Sequence, residues 1–167
     1  MTVRTLEIKT QINVQKPIHE VFEAIVNPDK LSVYFIGSST GRMEEGKTLT
    51  WTFPEFDAKF AIRIDKIQKD KHISYYWEDS DGTKTLVEMN LTKRSDDNTH
   101  VEVLEKSREN DEAGLKWLKG NTEGWTNFLC CLKAYLEYGI NLRKGCFDSK
   151  QLSENFSDAN TIKSGKK

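Results

Sequence analysis

The chain lacks the cysteines of a disulfide framework. Three are present, Cys130, Cys131 and Cys146, an odd number with two adjacent and no CxxC pair. That usage suits a reducing compartment and offers no metal-ligand spacing. An excess of either charge is missing too: 25 Lys and Arg stand against 26 Asp and Glu, for a net charge of −1. Such a balance supplies no long-range field to draw in nucleic acid or an anionic membrane. Long apolar runs are also absent. Nothing approaches the ~18 apolar residues of a membrane-spanning helix, and Arg4, Glu7 and Lys9 break the first twelve residues before they could form the apolar region of a signal peptide. These absences predict a cytoplasmic protein with no membrane insertion and no nucleic-acid partner. GxGxxG and HExxH do not occur, and the sequence points to no nucleotide or hydrolase site.

What is present is an ordered change of hydrophobic period. Residues 47–106 alternate apolar and polar side chains, whereas residues 112–141 repeat at three and four, so a sheet is followed by one long amphipathic helix. Before them, Leu6, Ile8, Ile12 and Val14 mark a first strand. Pro17 then opens a short helix carrying Val21, Phe22 and Ile25, Asn27-Pro28 ends it, and a second short helix over Asp29 to Phe35 turns Leu31, Tyr34 and Phe35 inward. Leu49, Trp51 and Phe53 share a face opposite three threonines. Phe60, Ile62 and Ile64 continue the sheet, and the three-residue step to Ile67 predicts a bulge. Ile73, Tyr75 and Trp77 follow, then a hairpin at Asp81-Gly82, then Val87, Met89 and Leu91. Val101, Val103 and Glu105 close the meander on one face. In the final helix Gly120 and Gly124 read as interruptions, after which Trp125, Phe128, Leu129, Leu132, Tyr135, Leu136 and Ile140 form a stripe ending near Gly139 or Gly145.

The fold class is therefore α+β: a curved antiparallel sheet of about six to seven strands wrapped around a long C-terminal helix, with two short helices after the first strand. Residues 1–147 form a single domain, and the polar stretch 148–167 reads as a disordered tail.

This order resembles the helix-grip fold of the START and Bet v 1 superfamily. Within it the chain is similar to the domain family named for the activator of the Hsp90 ATPase, in its small bacterial single-domain form. Three stretches carry the resemblance: Lys16-Pro17 through Val21-Phe22-Glu23-Ala24 to Asn27-Pro28-Asp29-Lys30-Leu31; the Ile73, Tyr75, Trp77 strand; and Gly124-Trp125 with Leu129 and Leu132 behind it. It spans about residues 5–142. Tyr34-Phe35 stands where the family usually has Trp-Phe, and the polar segment Lys116 to Glu123 reads as an insertion.

The resemblance implies a cavity between sheet and helix that holds lipids, sterols, polyketides or other apolar molecules. Trp51, Phe53, Tyr75, Trp77, Met89, Glu105, Trp125, Phe128, Leu129 and Leu132 are the candidate ligand-binding residues, and the same side chains read equally as plain core. Glu105 admits two readings: a desolvated anchor or general acid on the inner face, or a strand-end carboxylate in water or paired with Lys106 or Arg108. Tyr75 admits two readings: a hydroxyl presented into the cavity, or a packed ring with a wet tip, the usual arrangement in a strand. His19, His72 and His100 are scattered, so no metal site is expected. Cys130 and Cys131 point about 100° apart on a helix and read as buried small hydrophobes. Glu55 and Asp57 read as solvated turn charges. The leading function is non-catalytic binding of an apolar small molecule, without cofactor or metal. The alternatives are a polyketide cyclase or dehydratase-like enzyme and a protein partner in the Hsp90 machinery.

Overall fold

A computed structural model describes residues 4–78 and 82–148. Ten elements follow one another: β1 (Thr5–Val14), α1 (Ile18–Val26), α2 (Pro28–Tyr34), β2 (Ser38–Ser39), β3 (Thr48–Phe53), β4 (Phe56–Gln68), β5 (His72–Glu78), β6 (Lys84–Ser95), β7 (Asn98–Glu109) and α3 (Glu112–Tyr138). The seven strands form one antiparallel sheet in the order β1-β7-β6-β5-β4-β3-β2. The first strand thus pairs with the last, and the sheet curves around α3 in a helix-grip fold. Period-2 burial places Leu49, Trp51 and Phe53 of β3, Val87 and Met89 of β6, and Val101, Val103 and Glu105 of β7 on the concave face under α3.

The helix ends follow from local chemistry. Pro17 enters α1 with φ −56° and ψ 145°, a geometry its ring already prefers. Asn27 then caps α2, its Oδ1 accepting the Asp29 N–H at 3.0 Å, with Pro28 at the first helical position. Asp111 caps α3 through the Gly114 N–H at 2.7 Å, and Gly139 ends it at φ 65° with its N–H on the carbonyls of Ala134 and Tyr135. The expected bulge falls between Ile64 and Lys66, where Ser74 Oγ donates to Asp65 and accepts the Lys66 N–H.

Several expectations change. Gly120 and Gly124 do not interrupt α3, which runs unbroken over 27 residues. Each glycine costs about 1 kcal/mol of helix propensity, but the flanking Trp117 and Trp125 are anchored on the sheet and hold the segment helical. Ile140 lies past the Gly139 cap and is exposed. The two-residue strand β2 is too short to show a period. Asp81 of the expected hairpin and the segment 149–167 lie outside the described residues.

Candidate functional site

The centre of the concave face is a buried carboxylate. Glu105, 1% exposed, sits four residues before the end of β7, between Ile8 of β1 and Val87 of β6. It is neither at a strand end nor paired with Lys106 or Arg108, because β1 continues alongside β7 as far as the Thr5–Glu109 pair. Its hydrogen bonds come from one stripe of α3 and from β6. Trp125 Nε1 donates to Oε2 at 2.6 Å, and Asn121 Nδ2 reaches both oxygens at 3.2 Å. Trp117 Nε1 donates to Oε1 at 3.4 Å and Thr85 Oγ1 to the same oxygen at 2.7 Å. Trp117, Asn121 and Trp125 recur at every fourth position, so a single helical face delivers three donors. Bonds to a charged acceptor contribute about 1.5–3 kcal/mol each, enough to offset much of the desolvation of the carboxylate.

Around this centre lies an aromatic cluster. Phe35 meets Trp51, Phe53 and Phe128 edge-on at 6.2, 5.4 and 4.7 Å between ring centroids. Trp51 meets Tyr75 at 5.5 Å and Trp77 at 6.1 Å, and Trp125 meets Phe128 at 5.7 Å. Trp77 stacks on Phe60 and remains partly exposed. Trp51, Tyr75 and Phe128 are almost wholly buried, and Met89, Leu129 and Leu132 complete the layer.

Residues 15–137 match the family described as activator of Hsp90 ATPase homolog 1-like protein. The chain belongs to that family. The crystal structure of protein SSP2350 from Staphylococcus saprophyticus is 34% identical, with a TM-score of 0.71 over 82% of this chain and 96% of that one. DynU16, from the dynemicin biosynthetic locus, has a TM-score of 0.71 at 22% identity, over 81% of this chain and 48% of its own. The solution structure of the Aha1 dimer from Colwellia psychrerythraea gives 0.69 at 17% identity, over 80% of this chain and 98% of that one. No curated protein matches the chain.

In this family member nine of the ten candidate residues are buried, Trp77 packs partly exposed against them, and the rings pack directly on one another. Two surface depressions lie elsewhere. One of about 980 Å³ runs along β4, β5 and β6 past Lys66, His72 and Asn90, and one of about 460 Å³ lies between α1 and Arg42. Of the two readings of Tyr75 the wet tip fails, since the side chain is wholly buried. Among the described residues neither Tyr75 Oη nor Trp51 Nε1 has a hydrogen-bond partner. Burial, then the Glu105 charge, hold the Tyr75 hydroxyl well above its ordinary pKa. Tyr34 is raised in the same direction by burial, and its hydroxyl donates to the Ala24 carbonyl at 3.0 Å.

Asn121 and Thr85 escape sequence reasoning. Asn121 falls in the segment read as an insertion, although its fourfold spacing with the two tryptophans is the signal that marks it. Glu55 is not a solvated charge. It pairs with Arg143 at 2.8 and 3.1 Å, both side chains 12% exposed, and the guanidinium lies 5.2, 5.6 and 5.1 Å from the rings of Phe35, Phe53 and Phe147. This pair straps the segment after α3 to the β3–β4 hairpin at the rim of the aromatic cluster.

The expectation of no nucleotide or hydrolase site passes over two pattern matches in one loop. Gly37-Ser38-Ser39-Thr40-Gly41 spells GxSxG, and Gly41 through Gly46-Lys47-Thr48 spells GxxxxGKT. Both signatures need a strand-to-helix turn. Here Ser39 lies on the edge strand β2 with its Oγ donating to the Gly41 carbonyl at 2.8 Å, and Thr48 begins β3 rather than a helix. Lys47 pairs with Glu44 at 2.8 Å. Neither match has its structural context. Among the described residues no cluster of three His, Cys, Asp or Glu is placed to hold a metal ion, and no helix is long and apolar enough to cross a membrane.

Proposed function

We propose that the domain binds an apolar small molecule between the concave sheet and α3, as a non-catalytic carrier or sensor. The observation that carries this reading is the saturation of Glu105. An acid–base enzyme of the cyclase or dehydratase kind needs a carboxyl free to exchange a proton with substrate. The carboxylate buried between the sheet and α3 instead has both oxygens bonded to groups among Thr85, Trp117, Asn121 and Trp125. What surrounds it is aromatic surface, which suits retention of an apolar guest rather than turnover. DynU16, similar in fold, belongs to a biosynthetic locus, a setting in which small molecules are made and carried. A guest is admitted by displacing α3 or the Arg143 strap, since the rings otherwise fill the space between sheet and helix.

The test is intrinsic fluorescence. A mixed set of fatty acids, aromatic ketones and polyketide-like aromatics, titrated into micromolar protein, produces at least one saturable quench with a Kd in the micromolar range, about −8 kcal/mol. Phe128→Asp abolishes it by placing a charge against the guest. A flat response across the whole set overturns the reading.

A further inference from the structure

Resting on that reading, we infer that Trp51 Nε1 and Tyr75 Oη form an acceptor-binding subsite, selective for the neutral carbonyl oxygen of a planar apolar molecule. Four indoles are present in the chain, and two of them, Trp117 and Trp125, spend their N–H on Glu105. Trp51 has no such outlet. It is 1% exposed, its ring lies 5.5 Å from that of Tyr75 at 63°, and Tyr75 is wholly buried. Both donors have given up water without gaining a partner among the described residues. Groups of this kind are ordinarily satisfied in native interiors, so two in ring contact mark a place where an acceptor belongs.

The charge of that acceptor follows from the row of the sheet. Ile64, Tyr75, Val87, Glu105 and Ile8 are neighbours across β4, β5, β6, β7 and β1, which puts the carboxylate on the same face two strands from Tyr75, about 10 Å along the sheet. No Lys or Arg is among the buried residues described, and the rim cation Arg143 is committed to Glu55. A carboxylate head would meet the Glu105 field with no buried cation to offset it. A ketone or quinone oxygen accepts from Trp51 and Tyr75 without bringing charge inside. The edges and faces of Trp51, Trp77 and Phe35 around the two donors favour a flat ring system behind that oxygen.

Three probes of matched shape test this: 9-fluorenone, its hydrocarbon fluorene, and fluorene-9-carboxylate, titrated calorimetrically into the full chain and into Tyr75→Phe. The expected result is fluorenone binding about tenfold or more tighter than either analogue, with Tyr75→Phe collapsing the ketone preference so that fluorenone and fluorene bind the variant alike. The Trp51 indole N–H resonance, assigned by its loss in Trp51→Phe, moves with fluorenone and not with fluorene. Because Tyr75→Phe deletes an unpartnered hydroxyl, its Tm without ligand is unchanged or raised. Saturable binding of ketone and hydrocarbon with equal affinity overturns the subsite and leaves the apolar-binding reading standing. Preference for the carboxylate overturns its neutrality. A Tm lowered by several degrees in Tyr75→Phe overturns it as well, since the hydroxyl then has a partner such as internal water. Failure of all three probes overturns the subsite, while the broader library decides the apolar-binding reading separately.

Discussion

The indole N–H of Trp125 lies 2.6 Å from Oε2 of Glu105, joining the middle of α3 to the central row of the sheet through a bond buried at both ends. With Asn121 and Trp117 on the same helical face, it makes the carboxylate a clamp between helix and sheet. Only the ionised, acceptor-only form satisfies all of these donors at once.

Glu105→Gln therefore destabilises the fold, although the substitution keeps the shape. One oxygen becomes an NH2 that faces N–H and O–H donors, so charge-assisted bonds are lost and a donor is left opposite donors. The expected cost is about 2–4 kcal/mol, read as a lower midpoint in chemical denaturation at unchanged m-value. A midpoint equal to that of the natural protein contradicts the clamp.

Alternation and helical spacing are local properties, and they make the sheet, the bulge after Ile64 and the stripe of α3 legible in the sequence. Of the two readings of Glu105 the strand-end one fails: the polar run Lys106-Ser107-Arg108-Glu109 gives no period, and only the pairing with β1 extends the strand through it. Trp117, Asn121 and Trp125 stood in view at fourfold spacing, masked by the low helix propensity of Gly120 and Gly124. The Glu55–Arg143 strap joins residues 88 apart, a tertiary fact that no local pattern encodes.

The three α3 glycines have opposite roles. A Cβ at Gly120 or Gly124 meets nothing within 4 Å, whereas one at Gly114 falls 1.9 Å from the Glu109 carbonyl oxygen. Gly120→Ala and Gly124→Ala each stabilise by about 0.5–1 kcal/mol, because alanine relieves the backbone entropy cost of glycine in a helix. Gly114→Ala destabilises, since the backbone at the start of α3 must retreat from β7. Midpoints from thermal unfolding of the three variants check both signs.

Cys131 separates from its neighbours by burial. It is 2% exposed and its thiol is pushed up from 9.0 to about 11, chiefly by desolvation, while Cys130 and Cys146 are exposed. A disulfide reagent at pH 8 consequently labels two thiols quickly and the third only on addition of denaturant, because the thiolate is the attacking species. The same shift fixes a pH dependence. The folded state favours the protonated thiol, so this contribution is complete below pH 9 and disappears as pH rises through about 11. Tyr34 and Tyr75, also raised by burial, lose stability in the same direction at high pH. Comparison with Cys131→Ala isolates the thiol: between pH 8.5 and 11 the variant shows a shallower decline in denaturation free energy, by on the order of 2 kcal/mol. Rapid labelling of all three thiols in the native protein, or identical slopes for the two proteins, contradicts the burial of Cys131.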